Sequence, residues 1–227
     1  MNIEPIAKIE TDFPTKFGIP RQSGIVKDLY GKIVFEKKYR GPDSIRGIDE
    51  FSHLWVIWGF SENEGREYTP TVRPPKLGGN KRMGVFATRS PFRPNGLGLS
   101  CLKLERVEYS EKDGYVLIVS GADMVSGTPV YDIKPYLAYA DSIPSAKGGF
   151  TESLSISRLE VKVENELPDT FPKEKSDTLY RILAEDPRPS YINDGERIYG
   201  FLFCEHEIKF KVKDKCLTVI SVEKRIP

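Results

Sequence analysis

The chain has 227 residues, enough for one large domain or a domain with a small appendage. Apolar residues at 39% and charged residues at 30% exclude collagen-like, disordered and membrane-embedded classes as global descriptions. The formal net charge of +1 gives no overall bias toward a polyanionic partner.

In chain order, the start from Met1 to Phe17 mixes Glu4, Lys8, Glu10 and Asp12 with apolar residues, so it lacks the apolar centre of a secretory signal. Ile3 to Ile9 reads as a strand, and a turn-rich passage follows. Leu54 to Phe60, with both tryptophans, is a strand too short for a bilayer, which needs about 20 apolar residues. Met83 to Thr88, Leu99 to Val107 and Tyr115 to Val119 continue the β character, the last after the turn Lys112-Asp113-Gly114. Ser142 to Ser157 is rich in Ser and Gly and suits a connection between domains. Beyond it, Ser176 or Asp177 would cap a short helix with Leu179, Ile182 and Leu183 as its apolar stripe, stopped at Asp186-Pro187-Arg188-Pro189. A hairpin closes the chain: Ile208, Phe210 and Val212, the turn Lys213-Asp214-Lys215, then Leu217 to Val222.

Three scattered cysteines, Cys101, Cys204 and Cys216, read as idle thiols in a reducing compartment, and with His53 and His206 they offer no zinc spacing. The expectation is a cytoplasmic protein without metal. No glycine triplet follows a strand and opens a helix in the first half, which disfavours a doubly wound dinucleotide fold. The charge is unevenly placed. Between Tyr68 and Leu104 there is no acid, while Arg73, Lys76, Lys81, Arg82, Arg89, Arg93 and Lys103 make the stretch +7 and leave the rest at −6. Such a surface attracts phosphate, unless acids elsewhere in the fold pair with it.

Four stretches combine turn formers with hydrogen-bond donors in a way that simple core packing does not require. They are Pro20-Arg21-Gln22-Ser23-Gly24, Arg73-Pro74-Pro75 to Gly78-Gly79, Gly84 to Asn95 (GVFATRSPFRPN), and Asp123 to Tyr136. Rigid loops of this kind suggest a prepared site. With Phe51-Ser52-His53-Leu54-Trp55 and Asp186-Pro187-Arg188-Pro189-Ser190-Tyr191, these stretches resemble the bacterial tRNA methyltransferase O family, also called YaeB or VirR-like, over nearly the whole chain.

The resemblance implies an enzyme that uses S-adenosyl-L-methionine to methylate N6 of threonylcarbamoyladenosine at position 37 of a threonine tRNA. It also implies a homodimer, a single-sheeted β-barrel over residues 1–145 as the methyl-donor domain, and a small α+β domain over 146–227 that aids binding of the anticodon loop. Carried over by position, the donor site is Gln22, Ser23 and Gly24, then Ser61 and Glu62, then Arg89, Leu99 and Tyr131-Asp132-Ile133-Lys134. At Ser61-Glu62-Asn63 the family varies, which leaves open the side chain that meets the donor there.

Asp132 is the candidate proton acceptor, with Lys134 or Arg89 tuning its charge; the alternative is a structural acid paired with Lys134. Arg82, Arg89 and Arg93 are candidate planar cations for the threonyl carboxylate and neighbouring phosphates. Phe92, Tyr131 and Tyr136 are candidates to stack on bases, and Arg188 to reach the same tRNA. A non-catalytic RNA-binding module and an interaction protein on the same fold are the competing classes, separable by whether the chain binds S-adenosylmethionine.

Overall fold

The computed structural model describes residues 2–63, 65, 67–74, 77, 81–152, 158–164, 166–188 and 194–225. In chain order the strands are β1 (Ala7–Thr11), β2 (Tyr30–Phe35), β3 (His53–Gly59), β4 (Thr71–Val72), β5 (Met83–Gly84), β6 (Leu97–Ser110), β7 (Gly114–Ser120) and β8 (Thr128–Pro135). After the short helices α1 (Pro42–Ile45) and α2 (Ala138–Asp141) come β9 (Glu160–Val163), α3 (Ser176–Ala184), β10 (Tyr199–Phe203), β11 (His206–Lys213) and β12 (Cys216–Lys224).

Six strands close into an antiparallel barrel in the order β1-β2-β7-β6-β3-β8, with β8 returning to β1. Closure removes the unpaired edges an open sheet would expose. Alternate residues fill the interior: Ile9, Ile33, Leu54, Val56, Leu102, Leu117, Val119 and Val130 are all fully buried. Trp58 folds over its cross-strand partner Gly98, where a Cβ would lie 2.3 Å from the indole. Only glycine leaves room there for the ring. A bulge between Ile57 and Trp58 places Val130 opposite Trp58 and Asp132 opposite Ile57, leaving Tyr131 as the extra residue.

The C-terminal sheet runs β10-β11-β12-β9, with β9 parallel to β12. Helix α3 buries Leu179, Ile182 and Leu183, so the expected stripe is the one that packs. The predicted cap differs. A tight turn over Lys173–Lys175 runs straight into α3, and no side chain caps it. Asp186, in left-handed backbone at φ 53°, ends it just before Pro187. Both C-terminal hairpins turn through left-handed pairs, Asp214 with Lys215 and Cys204 with Glu205, the geometry that matches strand twist.

The strand expected over Ile3–Ile9 is displaced to Ala7–Thr11, and β2 lies in the passage read as turns. The strand expected over Met83–Thr88 is two residues long and passes into a tight turn, Val85–Ala87. Thr128–Pro135, read as loop because of its two prolines, is a barrel strand. Its prolines are tolerated because Pro129 sits opposite Lys8 near the start of β8 and Pro135 ends it.

The two cores do not follow chain order. Phe13, Val26 and Leu29, from the connection between β1 and β2, are buried with the C-terminal sheet and α3. Gly18, at φ +95°, lets the same connection pass within 2.4 Å, measured from a notional Cβ, of the Phe201 ring.

Candidate functional site

The connection from Asp12 to Leu29 carries Gln22, Ser23 and Gly24, and the C-terminal part grips it at both ends. Lys175 reaches Asp12 at 2.5 Å, while Arg181 and Thr178 both bond Asp28. The Cys204 amide donates to the Asp12 carbonyl at 3.2 Å. Arg21 donates to the Arg188 carbonyl at 3.1 Å, and Arg188 is itself held in a two-pronged pair by Asp186. The first loop is therefore seated by elements more than 140 residues away, as the 163-residue separation of Asp12 and Lys175 illustrates.

On its other side the loop meets the barrel mouth. Gly24 donates its amide to the Gly121 carbonyl at 3.0 Å, and both glycines have positive φ. A Cβ on Gly121 would lie 3.1 Å from the Gly24 nitrogen, so the two backbones touch without side chains between them. Arg89 donates to the Gln22 side-chain oxygen at 2.5 Å. Beside them, the buried indole Nε1–H of Trp58 donates to Ser100 Oγ at 2.9 Å, and Ser100 donates to Asp123 Oδ1 at 2.7 Å. Burial pushes the Asp123 carboxyl up to about 6. Bonds from Ser100, its own amide and the Ser23 amide, together with the Arg89 charge, oppose that rise.

Asp123 opens onto a cleft of about 210 Å³ lined also by Lys16, Trp58, Phe60, Ser61, Glu62 and Met124. Ser61 and Glu62 occupy a tight turn directly after β3, and Lys16 from the first loop pairs with Glu62 at 3.4 Å. Trp58 and Phe60 meet edge to face with centroids 4.4 Å apart. The cleft thus offers aromatic faces, two carboxylates and an ammonium. That inventory fits a nucleoside bearing both a cationic and an anionic head.

The sequence-derived residues fall into groups. Ser61 and Glu62 line the cleft, and Gln22, Ser23, Gly24 and Arg89 adjoin it through Asp123 and Gly121. Leu99, Asp132 and Lys134 lie on the outer wall, where Leu99 and Asp132 flank Ile57 in register. Leu99 is 53% exposed. Lys134 pairs with Asp132 at 2.8 Å, a bond that raises the lysine pKa. Ile133 donates its amide to Asp132 Oδ1 at 2.9 Å. Tyr131 bridges the groups, its ring 2.8 Å from a notional Cβ on Gly59, which lines the cleft.

Arg82 bonds the Thr71 hydroxyl at 2.7 Å, on the short β4-β5 pair. Arg93 is committed to its own loop: Nη1 donates to the carbonyls of Val85 and Thr88, and the guanidinium lies 5.6 Å from the Phe86 ring centroid. Tyr136 packs against Trp55 and His53 on the outer wall. Pro75, Lys76, Gly78, Gly79 and Pro189 to Tyr191 lie outside the described residues. Among the described residues, Lys103 is the one cation of the acid-free stretch within ion-pair distance of a carboxylate, that of Glu105. No three His, Cys, Asp or Glu side chains among them converge as metal ligands. Burial raises the Cys204 thiol to about 12, and burial with the nearby Asp141 raises that of Cys101.

Sequence reasoning passed over Asp123, Ser100, Trp58 and Lys16 as site residues. Asp123 began one of the singled-out stretches, but its partner Ser100 is 23 residues away on β6, and the β6–β7 register that sets Lys103 against Ser120 brings them together just past the end of β7.

The fold and site define a closed antiparallel barrel with a nucleoside-sized cleft at its mouth, roofed by a loop that a second, α+β unit holds in place. The chain belongs to the tRNA-methyltransferase O family, whose N-terminal domain matches residues 8–142 and whose C-terminal domain matches residues 157–225. It is 39% identical over 230 residues to the tRNA (adenine(37)-N6)-methyltransferase of Escherichia coli K12, covering 98% of this chain and 97% of that one. A protein of the same name from Eikenella corrodens is 44% identical over 72% of this chain and 92% of its own. A crystal structure of TrmO from Pseudomonas aeruginosa superposes with a TM-score of 0.77 at 26% identity, covering 98% of each chain.

Proposed function

We propose that this protein methylates N6 of adenosine 37 in tRNA, taking the methyl group from S-adenosyl-L-methionine. The finer reading is that the adenosine already carries the threonylcarbamoyl group, that the tRNA reads threonine codons, and that the enzyme works on the anticodon loop as a cytoplasmic homodimer. Residues 1–145 form the methyl-donor part and 146–227 the part that aids tRNA binding. Among the described residues, no helix is long and apolar enough to cross a membrane.

One observation carries the reading. Ser61 and Glu62 line one cleft with Lys16, Trp58, Phe60 and Asp123, and Asp123 ties that cleft to the Ser23 amide and to Arg89, which holds Gln22, an assembly whose chemistry suits a charged nucleoside. The bound donor would supply an electrophilic methyl on a sulfonium. The chain's own work is to hold the acceptor nitrogen about 3 to 3.5 Å from that carbon and to exclude water. Trp58 and Phe60 offer faces for an adenine. Lys16 and Glu62 offer opposite charges for an amino-acid head, and Gly24 allows close backbone approach.

The acceptor N6 belongs to a ureido group, so its lone pair is delocalised and its proton must leave. Asp132 is the acceptor for that proton, with Lys134 or Arg89 tuning the local charge. Both stand on the outer wall beside Leu99, where a second copy of the chain would present them to its partner's cleft. Arg82 and Arg188 contribute cations toward phosphates, and Arg93 keeps the Val85–Thr88 turn in shape.

The test is incubation with labelled donor and two tRNA pools, one carrying the threonylcarbamoyl group at position 37 and one lacking it. Label is expected in the first pool only. Equal labelling removes the dependence on the modification, and no label in either removes the activity.

A further inference from the structure

Asp123 is a half-buried carboxyl at the barrel mouth that none of the steps above uses. It sits at the end of a hydrogen-bonded chain that begins on buried ground: Trp58 donates to Ser100, which is 1% exposed, and Ser100 donates to Asp123. On its open side it faces the Ser23 amide and the Arg89 guanidinium, and Arg89 in turn holds Gln22. Two residues before it, Gly121 touches Gly24 backbone to backbone. The carboxyl is therefore fixed from the barrel side by Ser100 and faces the Ser23 amide of the first loop and Arg89 from the loop after β5.

We propose that Asp123 is a positioning residue for the methyl donor: its carboxylate, anchored on Ser100, holds Ser23 and Arg89 in the arrangement that receives the donor, so donor affinity depends on Asp123 carrying its charge. The proposal rests on the reading of the first loop as donor-binding. A carboxylate accepts the Ser23 amide and attracts Arg89, whereas a protonated carboxyl attracts neither comparably.

The charged groups facing Asp123 are Arg89 from the loop after β5, Lys16 from the first loop and Glu62 from the turn after β3. The last two pair with each other across the cleft. Because burial lifts the Asp123 carboxyl from 3.8 to about 6, the charge is present above that pH and lost as pH falls through it. Donor affinity should follow the same sign, full on the alkaline side and weakening on the acid side.

The experiment is calorimetric titration of the full-length protein with S-adenosylhomocysteine from about pH 7.5 to about pH 5. The wild type should weaken below the midpoint by up to about tenfold per pH unit, the limit for one linked proton. Asp123→Asn, nearly isosteric, should bind about tenfold more weakly at the alkaline end, a typical effect for a lost charge-assisted contact, and should show no pH dependence over this range. Ser100→Ala removes a bond that favours and anchors the charged form, so its midpoint should move to higher pH and its alkaline affinity should fall toward that of Asp123→Asn.

An Asp123→Asn protein that keeps the wild-type affinity and pH profile overturns the proposal. If that variant does not fold, an unmoved midpoint in Ser100→Ala overturns it. A wild type that binds no S-adenosylhomocysteine at any pH sinks the donor-site reading itself, whereas pH-independent binding sinks the Asp123 proposal alone.

Discussion

Asp132 and Asp123 are two carboxyls of the same segment with opposite surroundings. Asp132, 45% exposed and paired with Lys134, keeps its side chain at the wall surface, whereas Asp123 is turned inward onto Ser100. Replacing Asp132 with Asn should leave S-adenosylhomocysteine affinity nearly unchanged and lower the single-turnover methylation rate by about 100-fold, the lower range for losing a general base. An unchanged rate returns Asp132 to the role of a structural acid. The pairing with Lys134 is one alternative that an acid and a base two residues apart allow, and β8, a strand where the sequence reads as loop, puts both on the same face. The role of Asp123 was not readable, since burial is a property of the closed barrel and not of the sequence Gly-Ala-Asp-Met. Arg93 makes the same point in reverse. As a basic residue framed by prolines it looked free for an anion, yet its Nη1 is bonded to two carbonyls within eight residues.

At the scale of elements, the first loop depends on the sheet beneath it. Gly18 has a left-handed backbone and abuts the Phe201 ring, so Gly18→Ala incurs both conformational strain and displacement of a buried aromatic. It should cost about 1–3 kcal/mol of stability by denaturant titration. Because the loop carries Gln22 to Gly24, it should also weaken donor binding more than the loss of folded protein explains. A variant with wild-type stability and affinity would show that the loop is seated by its ion pairs alone. Periodicity and turn residues exposed α3, the last hairpin and the tryptophan strand, where local pattern and burial agree. They missed β2 because Gly31 and Lys32 dilute its alternation, and they missed β8 because prolines at both ends mimic a loop. Each is a strand by virtue of neighbours on both sides.

The molecule as a whole is nearly neutral but locally cationic, and among the described residues Lys103 alone of the acid-free stretch lies within ion-pair distance of a carboxylate, while Arg89 faces Asp123 from further off. Association with tRNA should therefore weaken steeply with salt, by about −0.7 in the log-log slope for each single-strand phosphate contacted, while binding of S-adenosylhomocysteine changes little. Fluorescence anisotropy across a salt series checks this, and salt-insensitive tRNA binding contradicts it. By itself the sequence determined the β-rich character, the helix stripe, the charge imbalance and the long motifs that carry the family likeness, because these depend on neighbours along the chain. Only the tertiary structure decided that a connection near the N-terminus belongs to the C-terminal core, and that Asp123 meets Ser100 while Asp132 faces outward. Strand register and long-range burial set those pairings, and neither leaves a periodic trace in one dimension.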